Sequence, residues 1–159
     1  MKKISVVIPT YNEEENVEPL SAAIIDVFEK QLPQYDYEII FADNHSKDST
    51  RKILRRLCEQ NRKIKAIFNA RNFGQMRSPV YALKQAYGDC VIRMCADFQD
   101  PVNMIVDFVR LWEQGNKIVI GVKTTSKESK LMYFLRTCYY KLIKKISDVD
   151  QIEHFTGFG

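Results

Sequence analysis

Cysteine, histidine, glycine and proline are all scarce in this sequence, and long apolar runs are missing. The 159 residues include 4 Cys, 2 His, 6 Gly and 5 Pro. Cys58, Cys90, Cys95 and Cys138 make no CxxC pair and have no histidine at ligand spacing, which argues against zinc and for reduced thiols. With 45% apolar and 28% charged residues, the composition excludes disorder, collagen and coiled-coil arrays. No run of 18 apolar residues occurs and no signal-peptide pattern opens the chain, so a cytoplasmic globular domain that neither spans nor crosses a membrane is expected. Neither GxGxxG nor a GxxxxGKS/T loop is present, which disfavours a dehydrogenase or a P-loop enzyme.

What is present is a strict alternation. Residues 4–8, 37–42, 64–68, 90–95 and 118–122 are short β-rich apolar runs that read as buried strands. Between them lie helical stripes: Val17, Leu20, Ile24, Val27 and Phe28; then Ile53, Leu54 and Leu57; then Met104, Ile105, Phe108, Val109, Leu111 and Trp112. Such alternation predicts right-handed βαβ units, hence one α/β domain over 1–159 with a mostly parallel central sheet flanked by helices. Asn12 with Glu15 fits a capping box for the first helix. Asp100-Pro101 reads as an N-cap followed by proline at N1, and Gly115 as the stop of that helix.

The net charge of +4 is unevenly spread. Residues 1–122 hold 17 basic and 16 acidic side chains, whereas 123–159 hold 7 and 4. Between 127 and 145 there are six cations, Arg136 among them, against Glu128 alone, with Leu131, Leu135, Cys138, Leu142 and Ile146 on one helical face. The segment 124–159 therefore reads as basic and amphipathic. It fits an anionic membrane surface, or equally a helix covering the sheet with a solvated basic face. A charge excess this local speaks against a nucleic-acid partner.

In an open parallel sheet, ligands bind beyond the carboxyl ends of the strands. Polar residues gather there: Pro9-Thr10-Tyr11-Asn12-Glu13, Asp43-Asn44-His45-Ser46, Asn69 to Gly74, and Asp97-Phe98-Gln99-Asp100. Taken in order, VVIPTYNEEENV, FADNHSKDST, ARNFGQ and ADFQDP resemble the nucleotide-sugar domain of inverting family 2 glycosyltransferases, and within them the polyprenyl-phosphate group. The likeness covers essentially the whole chain. The closing HFTGFG resembles a family motif that normally runs on, so more sequence is expected beyond it, of the membrane-associated kind.

The resemblance implies a GT-A fold, a Rossmann-like sheet holding a UDP- or GDP-hexose with Mg²⁺ or Mn²⁺. Carried over by position, Pro9, Tyr11 and Glu13 line the nucleoside pocket and Asp43 contacts base or ribose. Arg71 and Asn72 approach phosphate or sugar, and Asp97 is the metal-binding acid with Gln99 beside it. Asp100 is a second ligand, a helix cap, or both. The chain departs from the pattern in three places. Cys95-Ala96-Asp97 replaces Asp-x-Asp, and a thiol suits hard Mg²⁺ poorly, which leaves Asp97 with Gln99 and the substrate phosphates. Asn44-His45 stands where Asp-Gly is commoner, and Lys123 where an Arg is usual.

The implied reaction is in-line displacement at the anomeric carbon, with inversion, onto a polyprenyl phosphate at the inner membrane face. A phosphate nucleophile is already anionic and needs no general base, so catalysis rests on positioning and charge, with Lys123 and Arg136 as the catalytic cations for the acceptor. A transferase acting on a saccharide hydroxyl, and a non-catalytic nucleotide-binding module, are the alternatives. Bland readings stand beside several of these residues. Asp43 is also a turn-former and Glu13 also stabilises a helix dipole. His45 and His154 read as exposed loop histidines, Cys95 as a small buried strand residue, and Gly74 as the hinge of a tight turn.

Overall fold

The computed structural model describes residues 1–122 and 159. The chain divides into two compact units, and the first, Met1–Val119 with the last two residues, holds every element below. In order these are β1 (Lys3–Thr10), α1 (Val17–Gln31), β2 (Asp36–Asp43), α2 (Thr50–Gln60), β3 (Ile64–Phe68), α3 (Gly74–Leu83), β4 (Cys90–Arg93) and α4 (Met104–Glu113).

The four strands form one sheet in the order β3-β2-β1-β4, and every pairing is parallel. Thr10 lies opposite Asp43, and Asp43 opposite Phe68, so three strands end level with one another. Beyond β4, Met94 still donates to the Val7 carbonyl at 3.1 Å, and Arg93 exchanges backbone hydrogen bonds with Gly159 at 2.8 and 3.3 Å. The chain steps outward from β1 to β2 to β3, then returns to the far side of β1. That reversal puts a switch point between β1 and β4, where the loops leaving neighbouring strands diverge and open a crevice.

Strand alternation sorts side chains between two layers of unequal depth. Ile4, Val6, Ile8, Ile39, Phe41, Ile64 and Ile92 face α1, α2 and α4 in a core with Leu20, Ile24, Phe28, Leu54, Ile105 and Phe108. The opposite face holds only Val7, Ile40, Ala42 and, from α3, Ala82, with Ile67, Leu83 and Ala86 partly buried at its margin. Ser5 and Glu38 also lie on that face. The fully buried Glu38 accepts from Ser5 Oγ at 2.6 Å and from the Tyr87 amide at 2.9 Å, and pairs with Lys65. Burial pushes the Glu38 carboxyl up, but the bonds from Lys65, Ser5 and Tyr87 outweigh it and leave the group below its ordinary value.

Several local expectations are corrected. Residues 118–121 form no strand and Val122 makes a single bridge, with Ile118 exposed; β4 stops at Arg93, short of Cys95. α1 begins at Val17, so Asn12 and Glu15 make no capping box. Asn12 instead takes a left-handed φ of 56° and accepts from the Lys47 amide at 2.9 Å. Asp100 does not cap α4, which starts at Met104; its carboxylate turns inward and accepts from the Cys95 amide at 2.8 Å. Gly115 does close α4, with a φ of 95° and its amide on the Trp112 carbonyl. The helix α3, over Gly74–Leu83, is absent from the sequence-based reading because its buried positions are the small Ser78, Pro79 and Ala82, with a proline inside the helix.

Candidate active site

The carboxyl ends of the strands carry four loops, and backbone-to-side-chain bonds fasten them together. The loop after β1 is laced to the loop after β2. Asn12 donates its amide to Ser46 Oγ at 2.8 Å, Glu13 to Thr50 Oγ1 at 2.8 Å and Glu14 to Asp48 at 3.2 Å, while Ser49 donates back to Glu14 at 2.7 Å. This lacing holds Pro9, half-buried at the strand end, and Tyr11, exposed beyond it. Glu13 accepts from Asn16 Nδ2 at 2.6 Å, and its carbonyl receives the Asn16 and Val17 amides, so it closes the turn that opens α1.

Asp43 ends β2 with a fully buried carboxylate. It accepts from the Ser46 amide at 3.2 and 3.4 Å and pairs with Arg51 Nε at 3.3 Å, which folds the loop back and fixes where Ser46 stands. His45 sits at the crest with a left-handed φ of 69°, a region that glycine occupies without cost and histidine tolerates. It is only partly exposed, against the expectation of an exposed histidine.

Asn44 organises the third loop, a role that reading the sequence did not assign. Its Nδ2 donates to Asn72 Oδ1 at 2.8 Å, and its Oδ1 accepts from Asn69 Nδ2 at 3.1 Å and from the Phe73 amide at 2.9 Å. Asn69 also donates to Ser78 Oγ at 2.9 Å, and Asn72 Oδ1 accepts the Gly74 amide at 2.8 Å. Asn72 is thereby engaged in the loop itself. Arg71 stays exposed, its guanidinium 4.8 Å from the centre of the Phe73 ring. Gly74, with a φ of 82°, makes the tight turn expected of it.

After β4 the chain turns sharply through Phe98, with a φ of 58°. Asp97 and Gln99 are exposed on this turn, and Asp97 Oδ1 accepts the Gln99 amide at 3.2 Å. Asp97 and Asp100 thus diverge: one carboxylate faces solvent and the other is buried beneath it. Burial, then the charges of Asp100 and Asp97, push the Cys95 thiol up to about 11, which keeps it protonated at neutral pH. Among the described residues no cluster of three or more His, Cys, Asp or Glu could hold a metal ion by itself. Lys123, Arg136, His154 and the segment 124–159 lie outside the described residues.

The sequence profile of glycosyl transferase family 2 matches residues 5–157. The chain belongs to glycosyl transferase family 2. This family 2 chain is 33% identical over 156 residues to the prophage bactoprenol glucosyl transferase homolog of Escherichia coli K12, across 98% of the chain and 50% of that protein. It therefore spans about half the length of this relative. Among solved structures it resembles glucosyl-3-phosphoglycerate synthase from Mycobacterium tuberculosis in complex with Mn²⁺, UDP-glucose and phosphoglyceric acid. There the TM-score is 0.62 and the identity 20%, over 97% of this chain and 55% of that one. It also resembles the Pyrobaculum calidifontis mannosyltransferase in complex with GDP-mannose and Mn²⁺. That match has a TM-score of 0.59 and 22% identity, over 85% and 39% of the two chains. These likenesses give the GT-A fold: a parallel central sheet flanked by helices. Among the described residues no helix is long and apolar enough to cross a membrane.

Proposed function

We propose that this family 2 chain supplies the donor-binding part of a glycosyltransferase that moves a hexose from a UDP- or GDP-sugar onto a polyprenyl phosphate, with inversion. The observation that carries the reading is the 33% identity to a bactoprenol glucosyl transferase homolog along 98% of the chain. The site geometry supports it. The β1 and β4 loops flank the switch point, where an open α/β sheet receives ligands. In this reading Pro9 and Tyr11 border the nucleoside. Glu13 and Asp43, both bonded within the loops, hold the pocket walls, and Arg71 and Asn72 lie on the diphosphate side.

The residues fit a divalent cation of the Mg²⁺ or Mn²⁺ kind only together with substrate. Asp97 presents one exposed carboxylate with Gln99 beside it, Asp100 is turned inward, and Cys95 offers a soft sulfur that suits hard cations poorly. Mg²⁺ commonly takes one or two carboxylates and completes its shell with phosphate oxygens and water. When bound, such a cation supplies charge stabilisation to the leaving diphosphate. Lys123 and Arg136 are assigned to the acceptor phosphate, which attacks as an anion and leaves no proton for a base to remove. The acceptor places the working protein at the cytoplasmic face of a membrane.

Calorimetric titration of UDP and of GDP, with and without Mn²⁺, into the wild-type chain and the Asp97→Asn variant tests this. Mn²⁺-dependent binding that weakens at least tenfold in the variant, about 1.4 kcal/mol, is expected. Equal, metal-independent binding by both proteins refutes the role of Asp97. No binding of either nucleotide by a folded wild-type chain refutes the donor reading.

A further inference from the structure

The 29 residues between Glu59 and Asp89 contain six cations, Arg62, Lys63, Lys65, Arg71, Arg77 and Lys84, and no acidic side chain. Dividing the chain's charge at residue 122 hides this block. The helix α3 lies within it and turns outward what a helix ordinarily buries. Met76 is 79% exposed, Val80 50% and Tyr81 54%, and Tyr87, just past the helix, is 80% exposed. Met76, Val80 and Lys84, four apart along the helix and its C-cap, form one outer stripe with Arg77 and Tyr81 beside it, and Phe73 and Tyr87 flank the two ends of the helix. At its start a cavity of about 400 Å³ opens, lined by Phe68, Phe73, Arg77 and Tyr81 among others. Arg51 and Arg55 stack on Phe68, at 5.2 and 4.6 Å from the ring centre. Glu38, which accepts the Tyr87 amide, is buried against Lys65, and Asp89, which ends the acid-free block, accepts the Lys3 amide at 2.8 Å.

We propose that this outer face of α3 docks on an anionic lipid bilayer. Apolar and aromatic side chains standing among Arg and Lys, with no acidic neighbour on the same stretch, match the interfacial zone of a bilayer: hydrocarbon below, lipid phosphate above. The same charge pattern disfavours the other occupants. A second copy would bring a like-charged face against this one, which a two-fold interface cannot make complementary. The segment 127–145, with six cations against one acid, offers no charge complement. A nucleic acid would use the arginines and rings, but Met76 and Val80, the apolar part of the stripe, would gain nothing from it. The loop 69–73 lies at the start of α3, so docking here sets one wall of the candidate site beside the lipid surface. The proposal is independent of the donor reading, since vesicle binding needs no nucleotide.

Co-sedimentation of the whole chain with phosphatidylcholine vesicles, and with vesicles about one-third phosphatidylglycerol, tests it at low and high salt. The proteins compared are wild type, Arg77→Gln/Lys84→Gln, Met76→Ser/Val80→Ser, and Lys141→Gln/Lys144→Gln. Each cation near an anionic surface is worth about a fivefold change in partition, so the Arg77→Gln/Lys84→Gln protein is expected to bind the anionic vesicles about 25-fold more weakly. The Met76→Ser/Val80→Ser protein also loses binding, and the Lys141→Gln/Lys144→Gln protein retains more than the α3 charge variant does. Unchanged thermal midpoints show that the exposed substitutions leave the fold intact. The proposal is overturned by equal partition of wild type and the α3 charge variant, by salt-insensitive binding or none, or by self-association that the Met76→Ser/Val80→Ser change abolishes. Binding of a single-stranded oligonucleotide in place of vesicles overturns it too.

Discussion

Replacing Asn44 by aspartate changes one NH₂ group into an oxygen and almost nothing else, and the structure gives this small change a large cost. The two acceptor bonds of Asn44, from Asn69 Nδ2 and the Phe73 amide, survive in a carboxylate. The donated bonds, to Asn72 Oδ1 at 2.8 Å and to the Gly74 carbonyl at 3.4 Å, do not. Neither amide can flip to rescue it. Asn44 Oδ1 is pinned by the backbone N–H of Phe73, and Asn72 Oδ1 by that of Gly74, and a backbone N–H cannot become an acceptor. Two oxygens then face each other at a position where Asn44 is 7% exposed. One short and one long donated hydrogen bond lost, plus an uncompensated charged acceptor, cost about 3 kcal/mol. Chemical denaturation should show that loss, and a thermal melt a drop of about 10 °C. The added carboxyl donates once protonated, so the gap between Asn44→Asp and wild type should narrow as the pH falls below 5 or so. A variant as stable as wild type, or a gap that ignores pH, would refute the account of this loop.

At Glu38 the native carboxylate stabilises the fold, and here too the gap to a neutral variant narrows in acid. The Glu38 carboxyl is held below the ordinary value, so its contribution is complete above the unfolded pKa of about 4.3 and is lost as the pH falls through the folded one. Glu38→Gln should cost about 1 kcal/mol at pH 7, with Lys65 released to water, and should flatten the acid limb of the stability profile in urea titrations. Gly88→Ala should be worse. A Cβ there would lie 2.6 Å from Ser5 Oγ, 2.7 Å from Ser5 N and 2.8 Å from the Cys90 carbonyl, an overpacking cost of about 3 kcal/mol. Adding Ser5→Ala removes only the first clash, so the double variant should recover little in the same denaturation assay.

Apolar runs located β1, β2 and β3 within a residue or two: the central β1 and β2 are buried almost throughout, and the edge strand β3 keeps an apolar run broken only by the exposed Lys65. The stripes of α1 and α4 were equally plain, since each faces the deep layer. What hydropathy does not record is whether a run pairs as a strand, and among the described residues 118–121 do not. The capping readings failed for a related reason: Asn12 and Asp100 have the right chemistry, but Lys47 and Cys95 offered better partners than the helix starts. At the candidate site, the resemblance singled out the loops at the strand ends and Asp97, which the structure leaves exposed. It could not assign Asn44, whose partners Asn69, Asn72 and Phe73 lie 25 to 29 residues along the chain and meet it only once the sheet has formed.

The unequal depth of the two sheet layers divides the candidate site by rigidity. Tyr11, Asp43 and the loops that hold them rest on the layer built from α1, α2 and α4. Arg71 and Asn72 lead into α3, which among the described residues holds the other face through a handful of small side chains. Pro79 in its middle leaves the Gln75 carbonyl without its helical donor. Local opening draws first on regions with little buried apolar contact. The protein therefore has a fast-opening edge and a slow one along the same strand ends, with amides of α3 exchanging with solvent ahead of those of α1. A ligand spanning both would enter by the loose side and be measured against the fixed one.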